Sequence, residues 1–130
     1  MKKILFLLLL ALTTTYEAMS QADGLDAVAN ALRSGDAKSV AKFFGSTIDL
    51  TIVAKEEVYS KIQAEQVLKE FFVKNHPRSF KIIHKGASKE GAQYGIGSLN
   101  TNQGQTFRTY IYIKQSGKSI QVQELRFMKE

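Results

Sequence analysis

Behind Lys2 and Lys3 the chain runs through unbroken apolar residues from Ile4 to Leu12, and beyond that run the hydrophobic positions become periodic. Leu25, Val28, Ala29 and Leu32 follow the i, i+3, i+4, i+7 spacing of one helical face, with Asp23 placed to cap its start. Gly35 ends that helix, because glycine takes the left-handed conformation without a Cβ clash. Asp36 then caps a second, short helix with Ala37, Val40, Phe43 and Phe44 on its inner face, closed by Gly45. Ile48, Leu50 and Ile52 alternate with polar neighbours, as a half-buried strand does. A turn near Lys55-Glu56 leads to a second short strand over 57–60. Ser60 and Gln63 have capping-box spacing and open a third helix. Its stripe is Ala64, Val67, Leu68, Phe71 and Phe72, and Asn75 and Pro77 stop it.

From Ser79 onward every segment reads as strand: 80–85, 92–99, 105–114 and 119–128, joined by Gly86 to Gly91, Asn100 to Gly104 and Ser116-Gly117. This is a meander of four antiparallel strands. The last strand has a phase fault, since Ile120 and Val122 alternate onto one face while Leu125 and Phe127 fall on the other. One extra residue near Gln123-Glu124, a β-bulge, would bring all four to the same side and bend the strand. Gly95 and Gly97 share a strand face, where they let a helix or an aromatic ring approach the sheet. As a nucleotide fingerprint this Gly-x-Gly is worthless, because it opens no helix.

The element order therefore predicts an α+β fold: two N-terminal helices and one further helix packed on a strongly bent antiparallel sheet, in the order helix, helix, strand, strand, helix, four-strand meander. With Phe43-Phe44 before Ile48-Asp49-Leu50, the helix from Glu65 to Phe72 and the ending Val122 to Phe127, the chain resembles the nuclear transport factor 2-like (cystatin-like, cone-shaped) superfamily. Within it the chain is similar to a family of small exported bacterial domains of unknown function. The correspondence covers roughly residues 23–129 and rests on packing patterns. The resemblance implies a pocket between sheet and helices, sometimes catalytic, and a sheet face that often dimerises.

The first segment lies apart from that fold. A basic start, a short apolar stretch and the small residues Ala18, Ser20 and Ala22 form the pattern of a secretory signal peptide, residues 1–20, with cleavage after Ser20 or Ala22. The run is too short to span a bilayer, which takes roughly 20 apolar residues. The expected product is a single exported domain, residues 21–130, periplasmic or extracellular, with no membrane span after cleavage. A length of 130 residues allows one domain. Zero cysteines exclude a disulfide framework, a thiol nucleophile and a lipid on an N-terminal Cys, and two histidines are too few for a His-rich metal cage. Eighteen Lys and Arg face twelve Asp and Glu, and the cationic excess falls in residues 58–130. That bias suits an anionic ligand or surface as well as a solvated face.

Candidate chemistry is thin. Pocket acid–base work needs a carboxylate or histidine of tuned pKa and a donor to the developing oxyanion. His84 shares a face with Phe80 and Ile82, Glu124 sits at the presumed bulge, and Tyr94 is the nearest donor; no Asp/Glu–His pair has a recognisable spacing. Asp49 alternates with Ile48 and Leu50 and is expected to be an exposed strand carboxylate, while His76 at a helix end suits the helix dipole. The most informative surface is the long strand. Phe107, Thr109, Ile111 and Ile113 form its apolar face, and Arg108, Tyr110, Tyr112 and Lys114 the other, with Lys81, Ile83 and Lys85 expected beside them. Aromatics interleaved with cations suit a homodimer interface, a small apolar or anionic ligand or a polymer. Nucleic acid is the least expected of these for an exported chain. The expectation is a binding or interaction domain, with a small isomerase- or dehydratase-type pocket enzyme as the alternative, and neither metal nor cofactor is implied.

Overall fold

The computed structural model describes residues 24–130, so the expected signal peptide and the expected Asp23 cap lie outside the described residues. The elements run α1 (Gly24–Ser34), α2 (Ala37–Ala41), β1 (Phe44–Ile52), β2 (Lys55–Ser60), α3 (Lys61–Lys74), β3 (Pro77–Ala87), a 3-10 turn (Lys89–Gly91), β4 (Ala92–Thr101), β5 (Thr106–Ser116) and β6 (Ser119–Lys129). One six-stranded, unclosed sheet has the order β2-β1-β6-β5-β4-β3. The meander β3 to β6 is antiparallel throughout, and β1 joins it through a parallel pairing with β6. The α+β layout read from the sequence is the one observed.

The helix stripes pack as their spacing dictates. Leu25, Val28, Ala29 and Leu32 of α1 are buried, and Gly35 closes the helix at φ +68. In α3 the capping box is complete: Ser60 Oγ accepts from Gln63 N, and the Gln63 side chain accepts from Ser60 N. Ala64, Leu68, Phe71 and Phe72 are buried beneath it. Phe71 lies 4.7 Å from Phe127 and 5.1 Å edge-on from Phe107. Phe72 meets Phe127 at 6.4 Å. These four rings pack against one another between α3 and the sheet, where the resemblance assigns a pocket.

Three local expectations are corrected. Phe43 and Phe44 are not helical: α2 ends at Ala41 with Lys42 as its C-cap, Phe43 O accepts from Val122 N at 2.7 Å, and Phe44 pairs with Val122. Strand pairing thus outcompetes another helical turn, and Gly45 serves as the place where Gln121 lies over the strand, a Cβ there meeting its amide. The first β-turn falls at Val53, held at φ +60, with Lys55 and Glu56 already in β2. The third correction is a bulge that the sequence did not betray. Ile82 pairs with Gly97 and His84 with Ile96, which leaves Ile83 unpaired and exposed. Everything beyond Ile83 changes face, so Lys85 turns to the helix side, where its Nζ is 2.9 Å from Asp26 of α1.

The bulge that the sequence did announce is present. Tyr112 pairs with Glu124 and Ile113 with Val122, so Gln123 is the extra residue. Ile120 is then partly buried and Val122, Leu125 and Phe127 fully so, all against the core. Gly95 gives room to Leu25 of α1, and Gly97 to the Phe80 ring.

Candidate functional site

With the inner face committed to the core, the distinctive chemistry collects on the outer face of the sheet. Strand registers sort its side chains into rows across the strands. One row is Tyr94, Tyr112, Glu124, Asp49 and Val58, from β4 to β2. The next is His84, Ile96, Tyr110, Arg126, Thr51 and Glu56. A third is Lys81, Ser98, Arg108 and Met128. Neighbours within a row are about 4.8 Å apart and rows about 7 Å apart. Cations crowd the β3–β5 side of this face and carboxylates the β6–β2 side.

At its centre the side chains support one another. The guanidinium of Arg126 pairs with the Glu124 carboxylate and lies 5.7 Å from the centroid of the Tyr110 ring. Tyr94 stacks on Tyr110 at 6.4 Å and 24°, and its ring also covers Gly86 of the neighbouring strand. Burial, and secondarily the charge of Glu124, raise the Tyr110 pKa above its ordinary value. Beside this cluster is a depression of about 250 Å³, bounded by Ile96, Arg108, Tyr110, Glu124, Arg126 and Met128. Arg108 at its rim is exposed and makes no hydrogen bond or ion pair among the described residues.

Toward β1 the face is less well satisfied. Asp49 is partly buried, not exposed as its alternation implied, because it is hemmed between β2 and β6 beside a second carboxylate, Glu124. Its Oδ1 is buried without a hydrogen-bond partner among the described residues. So are Oγ1 of Thr51, a residue only 8% exposed, and Nε of Arg126. Buried polar atoms are ordinarily paired, and these three share the outer sheet face.

The three acid–base candidates do not meet in the cone interior. The Ile83 bulge puts His84 in solvent on β3, Tyr94 is engaged with Tyr110, and the Glu124 carboxylate is held by Arg126. Arg108, Tyr110, Tyr112 and Lys114 share one face, as their alternation required, and Lys81 joins them. Asp49, Thr51 and Arg126 were missed as members of the same surface. The signal lay in the β6 phase fault, which puts Arg126 beside Tyr110, and in a parallel β1–β6 pairing that no local pattern declares. Elsewhere a groove of about 620 Å³ separates α2 from α3, with Asp36, Lys38, Glu65, Lys69 and His76 on its walls. Its charges alternate, and Asp36 is spent as the α2 cap. The Ser39 hydroxyl donates to the Asp36 carboxylate at 2.7 Å and holds its pKa below the ordinary value. Among the described residues no cluster of three or more His, Asp or Glu could hold a metal ion, and no helix is long and apolar enough to cross a membrane.

Comparison with known proteins supports this architecture. A DUF4783 protein from Bacteroides ovatus is 26% identical, with 80% of this chain and 93% of that chain covered at a TM-score of 0.73. A DUF4783 protein from Bacteroides uniformis is 25% identical over 81% of this chain and 95% of its own, again at 0.73. An NTF2-like protein of unknown function from Cytophaga hutchinsonii, 10% identical over 83% of this chain and 88% of its own at a TM-score of 0.58, places the fold among nuclear transport factor 2-like domains. No curated protein matches the chain. A family model, the domain of unknown function DUF4783, matches residues 25–128, and the chain belongs to that family.

Proposed function

We propose that this is an exported, non-catalytic interaction domain whose working surface is the outer face of the sheet, and that its first partner there is a second copy of the same chain. The observation that carries the reading is the contrast between the two faces. The inner one is closed by Phe71, Phe72, Phe107 and Phe127. The outer one holds a Tyr–Tyr–Arg–Glu cluster flanked by unpaired buried polar atoms. Tyrosine and arginine are the side chains enriched at interface cores. A face with cations on one side and carboxylates on the other is also complementary to itself after a two-fold rotation. Export rests on the pattern of residues 1–20 alone.

Arg108 favours a second reading, in which the 250 Å³ depression takes a small anionic ligand with an apolar portion against Ile96 and Met128. Molar mass by light scattering, across a concentration series of the processed protein, separates the two. A mass rising to that of a dimer supports the first. A monomer at all concentrations that binds benzoate, lost in Arg108→Ala, supports the second. A monomer that binds nothing there contradicts both.

A further inference from the structure

Resting on the self-association just proposed, we infer which groups close the contact: two copies meet outer face to outer face about a two-fold axis lying in the interface over Arg126, and each Arg108 pairs with the partner's Asp49.

The described residues supply no donor to Asp49 Oδ1. That oxygen is enclosed, which leaves Oδ2 as the one open to a donor from outside, and the in-register neighbour of Asp49 on β6 is another carboxylate, Glu124. Leaving an anionic acceptor unpaired costs its desolvation without return, and like charges side by side on a sheet destabilise it. The cations of its own face are mostly committed or distant. Arg126 serves Glu124 and Tyr110, and Lys85 has been turned to Asp26 on the helix side. Arg108 is the converse case, an exposed guanidinium without a partner among the described residues, at the rim of the central depression.

Register makes the two exchangeable. Tyr110, Arg126 and Thr51 are in one row. Arg108 is on β5, one strand to one side of Arg126 and one row toward Met128. Asp49 is on β1, one strand to the other side and one row toward Glu124. Arg126 is therefore the midpoint of the diagonal joining them. Two sheets stacked by a two-fold operation with outer faces in contact must have the axis in the interface plane. An axis over Arg126, perpendicular to that diagonal, lays each Arg108 on the partner's Asp49, twice per dimer. Packed sheets are about 10 Å apart, a gap that a long arginine side chain reaches across. The guanidinium fork and its weak hydration suit a half-buried carboxylate better than the ammonium of Lys114, the rival cation nearer the hairpin.

The test is sedimentation velocity on the parent, on Arg108→Asp, on Asp49→Arg and on an equimolar mixture of the two variants, with far-UV circular dichroism as the folding control. Each variant alone places like charges opposite one another, and we expect its dimer dissociation constant to rise at least about tenfold. In the mixture both cross-contacts are opposite in sign, so a heterodimer with affinity within about threefold of the parent is expected. Should Asp49→Arg fail to fold, Asp49→Asn is substituted in the single-variant arm. It must weaken the parent dimer yet tighten the dimer of an Arg108→Asp background, where it relieves a like-charge contact. A dimeric parent that either variant leaves unchanged overturns the pairing and spares the dimer. So does a mixture that stays monomeric, or one restored only when Lys114→Asp replaces Arg108→Asp. A monomeric parent overturns both.

Discussion

At the scale of single residues, Tyr110 is the most informative side chain. Its ring is sandwiched between Tyr94 and the Arg126 guanidinium, and burial above all raises its pKa. A tyrosine whose pKa is higher folded than unfolded adds stability below the unfolded value, about 10, that is lost as pH climbs through the folded value. In an absorbance titration of phenolate, Tyr110→Phe should therefore remove a component that titrates above the ordinary tyrosine range. Loss of an early component would mean the ring is not buried as described. Val53 offers a second test, because a β-branched residue at φ +60 is strained and glycine would not be. Val53→Gly should raise stability by about 1 kcal/mol in chemical denaturation, and a loss would contradict the turn geometry. Ser60→Ala, which removes the α3 cap, should cost about 1 kcal/mol.

At the scale of elements, local devices were legible and pairings between distant segments were not. Helix stripes, the Ser60–Gln63 box and the hairpins depend on neighbours within a few residues, so the sequence spelled them out. The Gln123 bulge was readable too, because apolar residues on both sides of it must reach one core. The Ile83 bulge left no such trace: the residues after it face solvent or Asp26, and no hydrophobic phase is broken. Phe44 was misread as helical because its role depends on Val122, far along the chain. That asymmetry yields a prediction. Deleting Gln123 would turn Ile120 and Val122 outward, or Leu125 and Phe127, and should abolish cooperative melting. Deleting Ile83, on the edge strand β3, should leave a cooperative transition at reduced temperature. Equal tolerance of both deletions would contradict the account of β6.

At the scale of the whole molecule, sheet curvature and bulk aromatics decide where function can be. Phe71→Ala opens the ring cluster at its centre and should cost about 3–5 kcal/mol, a large part of the stability of a domain this size. Retained melting near the parent temperature would mean the space beneath α3 is not filled as described. Export belongs to this scale as well: intact mass of the protein recovered from an exporting host should correspond to a chain beginning at Gln21 or Asp23, and a recovered chain retaining residues 1–20 would contradict it. Of the site, the sequence displayed the Arg108–Tyr110–Tyr112–Lys114 stripe in full, because strict alternation within one strand is a local property. The acidic half stayed hidden behind the parallel pairing of β1 with β6. Whether the outer sheet face is covered in solution can be read from tyrosine nitration mapped by mass spectrometry at high and low protein concentration. Tyr110 and Tyr112 should be protected on concentration while Tyr59, on the far side of the sheet, reacts equally at both; reactivity of Tyr110 and Tyr112 independent of concentration would mean that the face is not covered.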